Sequence, residues 1–101
     1  MEFKITEDKD RLILALSGDF DTIAGREAKK ELVPLFEQDD HDIMIDCTNL
    51  DYISSSGLRV FMNIYKHQHD IGRRCSMAHI KDNVRDVLDM GGFFMLFEQE
   101  D

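Results

Sequence analysis

The chain has 101 residues, 43% of them hydrophobic, which is enough for one domain whose apolar core needs no disulfide or metal. Its formal net charge of -9 argues against DNA, RNA and anionic membranes as partners, because their phosphates attract basic surfaces. A positively charged protein partner would be attracted instead. No segment is long and apolar enough to cross a bilayer, and no secretion signal begins the chain, so we expect one cytoplasmic domain over residues 1–101.

The first half of the chain alternates between strand and helix patterns. Phe3–Ile5 and Leu12–Leu16 place apolar residues at every second position, which predicts two strands joined by a tight polar turn. Thr22 is a good cap for the helix that follows, and Ala24, Ala28 and Leu32 recur at helical spacing. Pro34 should kink this helix or end its regular part, because proline lacks a backbone N–H and crowds the preceding turn.

The second half repeats the alternation. Ile43–Ile45 is a short apolar run, typical of a strand covered on both faces. A helix is predicted from about Ser56 to His69, and Cys75–Ala78 is a further short strand. Asp82 can cap a third helix, which Gly91 and Gly92 end. The last predicted strand covers the alternating aromatic residues Phe93, Phe94 and Phe97.

The predicted order is β-β-α-β-α-β-α-β. Strands that alternate with helices form parallel pairs with right-handed crossovers, so we expect an α/β fold with a mixed, mostly parallel sheet and an N-terminal antiparallel hairpin. We expect the three phenylalanines near the C-terminus to lie in the core rather than on a dimerising edge, and the protein to be a monomer or a weak homodimer. Functional groups gather at the carboxyl ends of such strands, where Asp19 and the serines of residues 54–56 follow two of them.

The three consecutive serines stand where a loop becomes a helix. A hydroxyl there can cap the helix, or it can carry a phosphate that the helix N-terminus favours. A cap needs only one hydroxyl, so at least one of Ser54, Ser55 and Ser56 should be free. Gly57 has no side chain, which lets another backbone approach closely.

Other chemistry has weaker support. The glycine–x–serine–x–glycine elbow of hydrolases is missing, since Ile53 stands two residues before Ser55. His67 and His69 are two positions apart on a helix and face different ways, so they do not form a metal site. Cys47 and Cys75 are too few for a zinc site and are expected to be buried, reduced thiols. No glycine-rich phosphate loop is present, and we expect no metal, no cofactor and no enzymatic activity.

The whole chain resembles a STAS domain of the bacterial anti-sigma factor antagonist type. Leu16–Asp21 is similar to the family's glycine–acid–leucine–aspartate stretch, and Asp46–Ile53 to its aspartate–leucine–x–x–leucine segment. Ser54–Leu58 is similar to the motif aspartate–serine–serine–glycine–leucine, which is the most specific of the three. Phe20 replaces the usual leucine conservatively.

The resemblance implies a partner and a switch. In that family a kinase-type anti-sigma factor phosphorylates the serine that aligns with Ser55, a phosphatase reverses the modification, and Asp21 matches an aspartate beside the phosphoacceptor. Docking of the unmodified domain on the kinase would release a sigma factor. The residues expected to bind the partner are Asp19, Asp21, Thr22, Ile23, Ser54, Ser55, Ser56, Gly57 and Leu58.

The departure from the family is Ser54, which stands where aspartate is usual. Loss of that carboxylate could weaken recognition by the kinase, move the phosphate to a neighbouring hydroxyl, or mark a relative that is never phosphorylated. The alternative function is therefore a constitutive STAS adaptor, such as the small subunit of an ABC-type lipid-transport complex.

Overall fold

The computed structural model of the protein describes residues 1–100. Its five strands form one sheet in the order β1-β2-β3-β4-β5. The β1–β2 pair is antiparallel and the other three pairs are parallel, as the strand and helix alternation predicted. The strands are β1 (Glu2–Asp8), β2 (Arg11–Phe20), β3 (Asp42–Ile53), β4 (Cys75–Ala78) and β5 (Glu98–Glu100).

Four α-helices connect the parallel strands. Pro34 separates the first two, as predicted, and lies in the first turn of the second, where its missing N–H costs no hydrogen bond. The helices are α1 (Thr22–Glu31), α2 (Val33–Glu37), α3 (Ser55–Asp70) and α4 (Asp82–Met90). None of the helices within residues 1–100 combines the length and apolar character needed to span a membrane.

The core lies between the helices and one face of the sheet. Leu12, Leu14 and Leu16 of β2 point into it at every second position and are at most 2% exposed. They meet Phe61 and Ile64 of α3, which are fully buried. Ala24 and Ala28 let α1 approach closely, and both cysteines are buried in the same core, as expected.

The other face of the sheet carries half-buried and charged side chains. Met44 lies there, is 7% exposed, and stands outside the helix-packed core. The predicted burial of the run 43–45 on both faces is thus confirmed. Arg11 of β2 crosses this face to bond Glu100 of β5, at 2.9 and 3.1 Å from its carboxylate oxygens.

The prediction for the last strand was wrong. Phe93–Met95 form a 3₁₀ helix, and the strand lies further on, at Glu98–Glu100. Phe93 and Phe97 therefore stack on each other, with ring centroids 6.1 Å apart, instead of alternating along a strand. The predicted place in the core is confirmed for Phe93 and Phe97, which are 6% and 3% exposed, whereas Phe94 is only half-buried.

Two predicted helix caps were also wrong. Asp21, not Thr22, caps α1: its carboxylate accepts from Ala24 N at 2.9 Å, and Thr22 is the first helical residue. Lys81, not Asp82, is the cap position of α4, and it makes no side-chain capping bond. Asp82 lies one residue later, in the first turn, where its negative charge interacts favourably with the helix dipole.

Candidate functional site at the serine turn

The β2–β3 pair extends well beyond the rest of the sheet. β4 follows β3 only as far as Asp46, whereas β2 stays paired with β3 up to Phe20 and Ile53. The β3 edge left open is covered by the start of α4, where Asn83 Nδ2 donates to Asp51 O at 2.7 Å and Lys81 pairs with the Asp51 carboxylate. This extension ends in the serine turn, which we define as Ser54–Gly57.

Ser54 joins the two strand-to-helix junctions. Its backbone N–H donates to Phe20 O at 2.9 Å, and its hydroxyl donates to the same carbonyl at 2.7 Å. The hydroxyl oxygen also accepts from Gly57 N at 3.3 Å, which caps α3. The hydroxyl of Ser54, which replaces the family's aspartate, therefore both donates and accepts a hydrogen bond.

Two glycines allow the helices to start side by side. A methyl group on Gly57 would lie 2.7 Å from Ile53 Cγ1 and 2.9 Å from Phe20 Cγ, both in the core. A methyl group on Gly25 of α1 would lie 2.9 Å from Ser56 Cβ. These distances are shorter than van der Waals contact, so only glycine lets α3 pack against Phe20 and α1 against α3 without displacement.

The three serines consequently have different environments. Ser54 and Ser56 are half-buried, and Ser56 packs against Gly25 of α1. Ser55 is exposed at the first position of α3, and its hydroxyl has no hydrogen-bond partner among residues 1–100. Ser55 is thus the exposed member of the three serines.

The predicted partner-binding residues lie at this same end of the sheet. Asp19, Asp21, Thr22 and Ile23 are exposed where β2 passes into α1, and the Phe20 carbonyl links them to the serine turn. Ile23 is 64% exposed although it is apolar. Gly57 is buried and Leu58 half-buried, so these two support the turn more than they contribute to its surface.

Sequence reasoning missed three contributors to this site. Tyr52, which pairs with Asp19 in the strand register, is 50% exposed beside the serine turn. Asn83 and Lys81 hold the end of β3 from α4, some thirty residues away along the chain. An exposed aromatic residue just before a functional turn could have been noted, but the contacts from α4 have no local signal.

The remaining candidate groups do not converge here. Burial raises the pKa of the Cys47 and Cys75 thiols to about 12, so neither is a ready nucleophile. Asp21 is occupied as a cap, and within residues 1–100 no three histidine, cysteine, aspartate or glutamate side chains are grouped to hold a metal ion. What the arrangement offers is an exposed hydroxyl on a rigid frame, within a surface that also presents Ile23 and Tyr52.

The comparisons with known proteins agree with this geometry. Residues 2–100 match the family model of the STAS domain. BtrV of Bordetella bronchiseptica, which is named as an anti-sigma factor antagonist, is 30% identical over 96 residues, covering 93% of this chain and 83% of BtrV.

Solved structures show the same fold at low sequence identity. A Thermotoga maritima protein, also named as an anti-sigma factor antagonist, superimposes with a TM-score of 0.89 at 19% identity, over 98% of this chain and 86% of that one. The anti-sigma factor antagonist SpoIIAA in its unphosphorylated form gives 0.83 at 16% identity, over 99% and 89%. The phosphorylated form of Bacillus SpoIIAA gives 0.75 at 15% identity, over 99% and 92%.

Proposed function

The chain belongs to the STAS domain family, and from that premise we propose that it is an anti-sigma factor antagonist switched by phosphorylation of Ser55. In this proposal the unmodified domain binds a kinase-type anti-sigma factor in the cytoplasm and thereby releases a sigma factor. Phosphorylation by that kinase ends the binding, and a phosphatase restores it. The proposed role is regulated binding, without catalysis by this chain.

The environment of Ser55 is the observation that carries the proposal. Its hydroxyl is exposed and unbonded among residues 1–100, whereas Ser54 is occupied by Phe20 O and Gly57 N, and Ser56 packs on α1. Because Ser54 caps α3, the hydroxyl of Ser55 is not needed for capping. Relatives support the role as well, since the names of BtrV and SpoIIAA describe anti-sigma factor antagonists and SpoIIAA has a phosphorylated form.

Charge explains how the switch would work. A phosphate adds about -1.5 to -2 charge at neutral pH, at a helix N-terminus whose dipole tolerates it. The domain therefore stays folded. At a docked interface the same charge is desolvated, and without a waiting cation it costs several kcal/mol. A loss of roughly 4 kcal/mol would lower the affinity about a thousandfold.

The lack of the family's aspartate at position 54 does not remove the scaffold. Ser54 Oγ accepts from Gly57 N at 3.3 Å, which is the capping bond that an aspartate carboxylate could also make. It additionally donates to Phe20 O, which an ionised carboxylate cannot do. The turn thus keeps its geometry with one negative charge fewer beside the phosphoacceptor.

The test uses the purified protein, its cognate anti-sigma factor and ATP. We expect one phosphate, which peptide mass spectrometry places on Ser55, and no phosphate on Ser55→Ala. Ser56→Ala is the matched control, because it removes a neighbouring hydroxyl and should leave modification unchanged. Calorimetric titration of the phosphorylated form should show about a thousandfold weaker binding.

Two results would contradict the proposal. Phosphate on Ser54 or Ser56 in the unaltered protein would assign the switch to another residue. Equal binding of the phosphorylated and unmodified forms would remove the switch altogether. Co-purification with a membrane ATPase, unaffected by either Ser55→Ala or Ser55→Asp, would instead support the constitutive adaptor.

A further inference from the structure

A groove lies between α1 and α3, with Phe36 of α2 at its side. It encloses about 210 Å³, and Ala28, Leu32 and Val60 contribute apolar atoms to its lining. Phe36 also lines it and is 36% exposed, and Val33 on the same helix as Phe36 is 42% exposed. The groove is therefore mainly apolar inside and continues onto exposed apolar side chains.

The two helices that form this groove carry cations without an ion-pair partner. Lys29 lines it directly, and Arg59 lies one turn before Asn63, which lines it from α3. No carboxylate among residues 1–100 comes within 4.0 Å of the lysines and arginines on these two helices, although the chain carries a net charge of -9. The exposed cations in question are Arg26, Lys29, Lys30, Arg59 and Lys66.

Some cations elsewhere are paired. Arg11, Arg73 and Arg74 at the amino end of the sheet are each paired with a carboxylate, and Lys81 is paired with Asp51, whereas the remaining ones, Lys4, Lys9 and Arg85, have no carboxylate partner among residues 1–100. What distinguishes α1 and α3 is their local balance of charge: the two helices carry five lysines and arginines against three carboxylates, Glu27, Glu31 and Asp70. This surface is therefore locally positive, opposite in sign to the net charge of -9.

We propose that this groove binds an acidic amphipathic helix of a partner protein. The apolar stripe of such a helix would enter between α1 and α3, and its carboxylates would meet Lys29, Arg59 and their neighbours. An acidic occupant satisfies both features of the surface, whereas a basic helix would face the unpaired cations. Nucleic acid would leave the apolar lining unused and would be repelled by the net charge.

Phosphorylation of Ser55 would also affect binding in this groove. Ser55 and Arg59 are four residues apart on α3, so they lie on the same side of the helix. A phosphate on Ser55 would offset the charge of Arg59, which lies one turn before the groove-lining Asn63, and would repel an acidic helix bound there. This step rests on the proposed function, but binding of an acidic helix to the unmodified protein does not.

The test is a titration of the isotope-labelled, unmodified protein, followed by NMR. The probe is a synthetic amphipathic peptide with leucine at the i, i+3, i+4 and i+7 positions and glutamate on its polar face. We expect chemical-shift changes at Lys29, Leu32, Val60 and Asn63, and an affinity that falls as salt rises. The same peptide with lysine for glutamate should bind at least about tenfold more weakly.

Charge-reversal variants distinguish the effect of the groove's own cations on peptide binding from the effect of the net charge. K29E/R59E should weaken binding of the acidic peptide by about tenfold. K4E/K9E is the matched control: it makes the same change in net charge at exposed lysines on β1 and in the hairpin turn, and should change affinity less than about twofold.

Three results would overturn the inference. They are an absence of binding by the acidic peptide, shift changes outside α1, α2 and α3, and equal effects of the two double variants. None of these measurements involves the kinase or a phosphate. A failure here therefore leaves the assignment of Ser55 standing, and a failure of Ser55 phosphorylation leaves this groove standing.

Discussion

The two ends of the sheet are held together by different kinds of interaction. At the carboxyl end, neutral hydrogen bonds and close packing fix the serine turn: Ser54 bonds Phe20 O and Gly57 packs on the core. At the amino end, and on the face of the sheet opposite the helix-packed core, ion pairs connect the elements. Arg11 is paired with Glu100, and Arg74 with Glu98.

The difference shows how a surface can accept a new charge. Ion pairs at the amino end already match Arg11, Arg73 and Arg74 with carboxylates, so an added phosphate there would disturb an existing balance. The serine turn has no ion pair of its own among residues 1–100, and its frame depends on contacts that a surface charge does not compete for. If this comparison is right, disrupting the carboxyl end should cost more stability than disrupting the amino end.

The largest effect is expected for Gly57→Val. Its Cβ would lie 2.7 Å from Ile53 Cγ1 and 2.9 Å from Phe20 Cγ, and the additional methyl groups would increase the overlap. We expect a loss of about 3 kcal/mol in the free energy of unfolding, measured by urea denaturation followed by circular dichroism. Lys66→Val, at an exposed position of α3, controls for the helix propensity of valine. Equal losses in the two variants would show that packing at Gly57 is unimportant.

Ser54→Ala should cost less. It removes the α3 cap and the hydroxyl bond to Phe20 O, while Phe20 O keeps the backbone bond from Ser54 N at 2.9 Å. We expect a loss of about 1–2 kcal/mol in the same assay. Ser55→Ala is the control, because its hydroxyl bonds nothing within residues 1–100, and should leave stability nearly unchanged. A larger loss for Ser55→Ala than for Ser54→Ala would invert their assigned roles.

Glu100→Gln tests the charged region and should have a smaller effect. The hydrogen bond from Ser76 and then that from Arg11 lower the pKa of Glu100, and the bond from Arg74 lowers that of Glu98. Both pairs are partly solvated, so we expect a loss of about 0.5 kcal/mol at pH 7.

The pH dependence of that loss has a defined sign. A carboxyl whose pKa is lowered on folding stabilises the protein above its unfolded pKa, and this contribution disappears as the pH falls through the folded pKa. The difference between the unaltered protein and Glu100→Gln should therefore shrink from neutral pH towards acid. A difference that grows on acidification would contradict the assignment.

The smallest effect should come from His41. The hydrogen bond to Glu7 at 2.7 Å, and then the nearby Asp40 carboxylate, raise the pKa of His41 above its ordinary value of 6.5. Its stabilising contribution is present below that ordinary value and is lost as the pH rises through the folded pKa. We expect proton NMR to show titration of this ring above pH 6.5, and Glu7→Gln to lower the midpoint. An unchanged midpoint would remove Glu7 as the cause.

Local patterns in the sequence were sufficient for most of the fold and for the position of the site. Apolar residues at every second position in β2 and at helical spacing in α1 face a single core, so their spacing predicts both elements. The serine turn follows a buried strand and precedes an amphipathic helix, which places it at the carboxyl end of the sheet. These features depend on near neighbours in the chain.

Only the tertiary structure decided the remaining features. Phe93 and Phe97 fit a strand or a tight helical turn equally well, and packing against Phe61 and Tyr65 favours the turn. β5 is a strand of Glu98, Gln99 and Glu100 with no apolar signal, held by β4 and by Arg11 and Arg74. The different environments of the three serines were likewise decided by Phe20 O and Gly25, because contacts between residues distant in the chain determine which side chains are bonded or buried.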